Sequence, residues 1–345
     1  MKEGKQDMKF ERIKLADLPM IYVTTELRLR GRRYLACASE ARDARALIID
    51  PETKECADLW LGETGCMNIV QIPGQERLLA IIRFYPVFDS REAAVCLLEP
   101  GEGGIMAPWR MREVVRLPFC HRIGVVQSEN GLFLLACQLC ADKDCTEDWS
   151  KPGALWTCPI PEDGGEWRLT RVYDGLFRNH GLFIEHGNQV TVCAEQGVLH
   201  FDMSAYAAGQ PLVPDGGWET PTSDICIYEG GGERLAATIE PFHGNLGTVY
   251  SLGADAPRRL GAYGIAFGHA VWVGKLCGRK AMILGSRAGE KKALEVVLWE
   301  TGERLTIEEN AGPTQIAVYE DGGQSFIFSA NHEPGEAVLY RMESL

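Results

Sequence analysis

Residues 222–253 read TSDICIYEGGGERLAATIEPFHGNLGTVYSLG, and residues 313–342 read PTQIAVYEDGGQSFIFSANHEPGEAVLYRM. Each is an apolar run, a glycine turn, a second apolar run, a polar turn and a third apolar run. Short runs rich in Ile, Val, Tyr and Phe, bounded by Gly, Asp and Pro, predict antiparallel strands joined by tight turns. A third copy fills residues 67–100, MNIVQIPGQERLLAIIRFYPVFDSREAAVCLLEP. Looser copies start at His121 (HRIGVVQSENGLFLLACQ), His180 (HGLFIEHGNQVTVCAEQGVLHF) and His269 (HAVWVGKLCGRKAMILGS).

The first apolar residues of these copies are Ile69, Ile123, Leu182, Ile225, Val271 and Ile316, at intervals of 54, 59, 43, 46 and 45 residues. Four-stranded propeller blades repeat at about 40 to 50 residues, with extra length in loops. The longest interval holds the polar insertion KDCTEDWSKPG, residues 143–153. A seventh copy fits ahead of Ile69, with an inner strand near Ile21 to Leu29 and a second strand at YLACAS, residues 34–39. The last copy ends after its third strand, AVLYRM (337–342). FERIKLADLP (10–19) resembles the segments that precede other inner strands, MREVVRLPF (111–119) and WRLTRVYDGLF (167–177). Residues near Phe10 to Leu15 are therefore expected to supply the missing outer strand of the last blade, which closes the ring and removes an open edge. The expectation is all-β: one seven-bladed β-propeller over residues 1–345, with the N-terminal strand completing the last blade. A pair of β-sandwiches and a solenoid are the alternatives.

Composition narrows the partners. A formal net charge of −13 disfavours nucleic acid, whose phosphates attract basic surfaces. No apolar stretch approaches the ~18 residues of a membrane span. The N-terminus, MKEGKQDMKFERIK, lacks the apolar run of a secretory signal. The 12 cysteines are scattered, several inside apolar strands (Cys37, Cys96, Cys193, Cys226). That usage fits the reducing cytoplasm, where Cys is a small buried hydrophobe. CQLCADKDC places Cys137, Cys140 and Cys145 close together. No second CxxC follows, and Cys137 ends an apolar strand, so free thiols are expected over structural zinc.

The repeat also sorts the polar residues. In a propeller, the loop entering each inner strand and the turn after each second strand share the face around the channel mouth. His121, His180 and His269 precede inner strands at one matching position, which is Met67, Ser223 and Thr314 in other copies. His243 and His332 follow second strands. Five of the seven histidines thus point to one mouth, whereas His186 falls on a turn and His200 in a strand. Imidazole binds metals and titrates near neutrality. Arg83 and Tyr85 occupy the turn that matches His243, and Arg122, Asn179, Glu240 and Glu333 lie beside the histidines. Gln315, Asp224 and Asn68 share a position at the start of inner strands. Capping and hydrogen bonding within the channel are the plainer roles for these groups, and core packing is the plainer role for Trp272 and Phe242. No GxSxG elbow, P-loop, HExxH or WD signature is present.

LFRNHGLFI (176–184), PFHGN (241–245), FGHAVWVG (267–274) and ANHEPGEAVLYR (330–341) resemble the propeller domain of aldos-2-ulose dehydratase and its bacterial relatives. The resemblance implies a lyase that eliminates water from a keto-sugar. Enzymes of that kind carry additional cupin-like domains, for which this chain has no room. Polysaccharide lyases on seven-bladed propellers, such as oligogalacturonate lyase, hold a metal through histidines at the channel mouth; that is an analogy of fold. Elimination beside a carbonyl needs a base for the α-proton and a positive group at the oxygen. The expected metal ligands are His180, His243, His269 and His332, for zinc, manganese, nickel or iron. His121 or Tyr85 is the expected base or acid, and Arg83 or Arg122 orients the substrate. Asn179, Glu240, Gln315 and Glu333 are the candidate contacts to a small carbohydrate. A non-catalytic carbohydrate- or protein-binding propeller, and a sugar hydrolase or isomerase at the same site, are the competing expectations. An oligomer is compatible with all of them.

Overall fold

The computed structural model describes residues 8–162, 164–253 and 256–344. Their strands form seven antiparallel sheets of four strands each, and among the described residues there is no helix. The seven innermost strands are Ile21–Leu29, Asn68–Gln71, Cys120–Ser128, Gly181–Glu185, Asp224–Gly230, Gly268–Leu276 and Pro313–Asp321. Each touches the next, and the seventh touches the first, so the sheets are the blades of a closed seven-bladed β-propeller. They are numbered here from Ile21–Leu29 as blade 1.

Burial explains which runs read as plain apolar sequence. A middle strand packs both faces against neighbouring blades, so Leu78–Ile82 and Leu294–Leu298 are buried along their whole length. Outer strands have a wet face, and in Arg110–Arg116 only Val115 is buried. Glu295, buried inside one such run, is answered by Arg304.

Ring closure follows the sequence expectation. Met8–Asp17 pairs antiparallel with Glu336–Ser344, with Phe10 opposite Met342 and Ile13 opposite Leu339. Arg12 rivets the seam: it binds Glu336 and, at 2.7 Å, Glu308 of blade 6. Tyr340 donates to the same Glu308 at 2.5 Å.

The insertion in blade 3 folds back on itself. Cys140 pairs with Pro152 at its base. The Asp148 carboxylate accepts from the Asp144 and Ser150 amides, and Lys143 Nζ donates to the Asp148 carbonyl at 2.6 Å. Arg91 ties the loop to blade 2 through Asp142 at 3.1 Å. Cys137 and Cys140 are buried, Cys145 is exposed, and all 12 cysteines are free thiols.

Candidate active site at the channel mouth

Four histidines meet at one end of the channel. The position just before or within each inner strand holds Tyr22, Met67, His121, His180, Ser223, His269 and Thr314 in blade order. Tyr22, His121 and His269 are extra residues in their ladders, skipped between Ile21 and Val23, Cys120 and Arg122, and Gly268 and Ala270. A β-bulge of this kind re-aims the side chain out of the sheet. Two residues upstream, Met20, Phe119, Arg178 and Phe267 each adopt a positive φ of 51–57°, which turns the incoming chain toward the axis.

The rings are held by the backbone of the next blade. His180 Nδ1 donates to the Ser223 carbonyl at 3.0 Å, and His269 Nδ1 to the Thr314 carbonyl at 2.8 Å. With Nδ1 protonated, each Nε2 carries the lone pair. Gly181 permits the approach, because a Cβ there would lie 2.8 Å from the same Ser223 carbonyl. His243 enters from the turn after Glu233–Glu240, at φ 45°. Its amide donates to Ser223 Oγ at 3.1 Å, and Gly244 leaves room where a Cβ would meet the Glu240 carbonyl at 2.1 Å. His180 Nε2 and His243 Nε2 stand 3.2 Å apart. One nitrogen from each of His180, His243 and His269 falls within 4.8 Å of the others. His121 stacks on His180 with ring centroids 4.1 Å apart, and its Nδ1 is buried without a hydrogen-bond partner.

Burial keeps this cluster neutral. It lowers the affinity for a proton of His121, His180 and His269 far below the usual imidazole range, and the Arg122 or Arg287 charge adds to the effect. His243 is lowered to about 3, by burial first and then by Arg287 and Arg122. Three unprotonated imidazoles with nitrogens converging on one space, and His121 beside them, are suited to bind a cation or accept a proton.

The cavity above them has a volume of about 770 Å³. Its wall includes Tyr22, Phe84, Tyr85, Trp149, Phe242 and Phe267, with Glu40, Arg178 and Arg287 among its charged groups. Tyr22 donates its hydroxyl to His269 Nε2 at 3.1 Å, and burial pushes its own pKa up to about 12.

Of the residues singled out by sequence, His121, His243, His269 and Tyr85 line this cavity, and His180 lies fully buried behind it, its nitrogen directed to those of His243 and His269. The others lie elsewhere. His332 pairs with Glu40 at 2.8 Å beside Arg287, one step around the rim. Arg83 turns away to Glu113 and Glu63. Arg122 and Gln315 sit deeper in the channel: Arg122 pairs with Asp224 at 3.4 Å, and Gln315 donates to the Met67 carbonyl at 3.1 Å. Glu240 faces into blade 5 and accepts from Thr238, Thr248 and Tyr250 at 2.6, 3.1 and 2.8 Å. Asn179 is fully buried and donates to the Ala154 carbonyl at 3.1 Å. Glu333 pairs with Lys292 on the surface. Phe242 lines the cavity, whereas Trp272, on the inner strand of blade 6, packs against the cores shared with blades 5 and 7.

Tyr22, Glu40, Arg178, Arg287, Trp149 and Phe267 are the residues that sequence reasoning passed over. For Tyr22 a signal existed: Leu18-Pro19-Met20-Ile21-Tyr22 repeats the pattern of Leu117-Pro118-Phe119-Cys120-His121.

Among the described residues, no helix is long and apolar enough to cross a membrane. No protein-family profile matches the chain, and no curated protein matches its sequence. Solved structures do match. A soluble aldose sugar dehydrogenase of Escherichia coli, in its apo form, is 12% identical over 98% of this chain and 100% of its own, with a TM-score of 0.53. Sqt1 of Saccharomyces cerevisiae is 8% identical over 94% of this chain and 84% of its own, with a TM-score of 0.60. At such identities the likeness establishes the propeller fold, and it does not reach the aldos-2-ulose dehydratases.

Proposed function

We propose that this chain is a metal-dependent carbohydrate lyase that removes water from a keto-sugar by α-proton abstraction at the channel mouth. One observation carries the reading: three neutral imidazoles, His180, His243 and His269, direct nitrogens into one space, and backbone carbonyls fix the first and third. A metal-binding histidine is held by its other nitrogen in this way. Two nitrogens bound to one ion at about 2.1 Å lie roughly 3 to 3.5 Å apart, and His180 and His243 present theirs at 3.2 Å. Two facing lone pairs repel unless a proton or a cation lies between them. The donor set suits zinc, manganese, nickel or iron.

When bound, such an ion polarises the sugar carbonyl and acidifies the adjacent C–H. His121 is the base in this scheme, neutral and stacked against His180. It takes the α-proton, the C–H electron pair becomes the new C=C bond, and the β C–O bond breaks. The His121 imidazolium then returns the proton to the departing hydroxyl, which leaves as water. Tyr22 keeps its proton and is placed to donate to a sugar oxygen. A structural neighbour, an aldose sugar dehydrogenase, supports a carbohydrate as the ligand.

Metal content of the purified chain and turnover of keto-sugars, followed by enone absorbance, test the reading. His180→Ala and His243→Ala are expected to lose the metal and at least 100-fold in turnover, the scale of a lost Lewis acid or general base. His121→Ala is expected to keep the metal and lose turnover. A chain that binds none of the four metals, or a His180→Ala variant with full turnover, overturns it.

A further inference from the structure

A belt of aromatic rings runs around the cavity above the histidines. Phe84 meets Phe88 at 6.4 Å between centroids, Phe88 meets Trp149 at 5.1 Å, and Trp149 meets Phe242 at 5.1 Å. Phe242 stacks on His243 at 4.1 Å, and His243 on Phe267 at 4.6 Å. Blades 2, 5 and 6 and the blade 3 insertion each contribute. Phe84, Phe88, Trp149 and Phe242 meet edge to face, and all four line the cavity; aromatic side chains in such a wall can pack on the C–H face of a sugar ring.

Cations back the belt. Lys143 Nζ lies 3.3 Å from the Trp149 ring centroid, and its bond to the Asp148 carbonyl fixes it there. The Arg178 guanidinium lies 5.4 Å from Trp149 and 5.7 Å from Phe242. Arg287, the other arginine of the wall, is committed to Glu40 at 2.9 Å. Arg178 has a weaker tie: Glu195 at 3.2 Å, a half-exposed carboxylate that solvent screens. Its Nε is buried without a hydrogen-bond partner, and its backbone stands at φ 51°. That turn is the one shared by Met20, Phe119 and Phe267 at the matching positions of other blades, and it places the Arg178 side chain at the cavity wall. The acids of the cavity wall do not pair with it: Glu40 is bound by Arg287 and His332, and Glu147 is exposed at the outer rim.

We propose that the belt and Arg178 form a subsite for an anionic carbohydrate, with the sugar ring on the aromatic faces and a carboxylate or phosphate on the guanidinium. A planar fork of donors suits either anion. The proposal deepens the reading of the mouth as a sugar-processing site, and binding at the subsite needs no metal.

The test is calorimetric titration of the chelator-treated full chain with glucuronate, glucose 6-phosphate and glucose. At least one anionic sugar should bind tenfold or more tighter than glucose, and which one identifies the anion. Arg178→Gln should abolish that preference while glucose affinity stays the same, Arg178→Lys should restore part of it, and Glu147→Gln should strengthen it. Trp149→Phe should remove the quenching of indole fluorescence by the bound sugar. Equal binding of all three sugars, or an anion preference that survives Arg178→Gln, overturns the subsite. Anion-selective binding by a chain that takes up no metal leaves the subsite standing and removes the metal-dependent lyase. Metal uptake without anion preference does the reverse.

Discussion

At the scale of single residues, the mouth is governed by what each imidazole nitrogen already touches. His180 and His269 spend Nδ1 on a backbone carbonyl. Their Nε2 lone pairs differ in one respect: that of His269 is already used by the Tyr22 hydroxyl at 3.1 Å. A metal drawn to His269 must displace that proton donor. A neutral hydrogen bond contributes about 1 kcal/mol net, which is roughly a fivefold change in an equilibrium. Tyr22→Phe keeps the ring and removes the donor, so it should tighten metal binding about fivefold while slowing turnover, because a donor to the sugar oxygen is lost. Competition with a chromophoric chelator measures the first effect. Weaker or unchanged metal affinity in Tyr22→Phe would mean that the hydroxyl does not compete for His269. Arg122 acts at a distance. Its side chain is bound to Asp224 below the cluster, yet its charge helps hold three of the histidines neutral.

At the scale of strands and turns, the site depends on how closely blades 4 and 5 approach. Gly181 follows His180, and a Cβ there would meet the backbone of blade 5 at two atoms, the Ser223 carbonyl at 2.8 Å and Asp224 Cα at 3.0 Å. Backbone cannot swing aside as a side chain can. Gly181→Ala should therefore pry the two inner strands apart, cost about 1–3 kcal/mol as overpacked sites do, and weaken metal binding by pulling the Ser223 carbonyl away from His180. Gly264, with open space around its Cα, is the control, and Gly264→Ala should stay within about 0.5 kcal/mol of the parent. Chemical denaturation and metal titration of both variants decide the matter, and a Gly181→Ala chain as stable as the Gly264→Ala chain would contradict the packing account. The same elements show what the sequence disclosed. Strand periodicity and the repeat located all seven inner strands and the closing strand, because burial of both blade faces writes itself into apolar runs. The matching loop positions located His121, His180, His243 and His269. The bulges that aim three of the seven mouth positions were not legible, since an extra residue in a ladder has no signature in the chain of residues. Nor was the inward turn of Glu240. The three hydroxyls that hold it, from Thr238, Thr248 and Tyr250, look in sequence like any polar residues on strands.

At the scale of the whole molecule, ring closure and the buried histidines are coupled. The propeller can hold four uncharged imidazoles at its axis only while seven blades exclude water, and the pairing of Met8–Asp17 with Glu336–Ser344 keeps the ring shut. Stability should therefore depend on pH in a definite direction. In the unfolded chain each histidine titrates near 6.5. In the folded chain His121, His180 and His269 lie far below that value, and His243 is near 3. Above pH ~6.5 both states are neutral and the full stability is present. As pH falls below ~6.5 the unfolded chain takes up protons that the folded chain refuses, so stability is lost, and the loss continues until the folded pKa values are reached. Each such group contributes a slope of about 1.4 kcal/mol per pH unit. Four together approach about 5 kcal/mol per unit, against a total stability of about 5–15 kcal/mol. The carboxylates with lowered pKa, Glu113, Asp142, Asp148, Asp202 and Glu336, lose their contribution only below about pH 4.5, so the window from ~6.5 to ~4.5 reports mainly the histidines. Asp224, raised by burial, opposes them weakly at the lower end. Urea denaturation of the chelator-treated chain should give a flat stability from about pH 8 to about pH 7 and a steep decline below ~6.5. His121→Asn should remove one proton from that slope, whatever it does to the absolute stability. A stability that stays level down to about pH 5 would mean that the folded chain protonates its axis freely, and that the blades do not exclude water from the histidines as tightly as their burial implies.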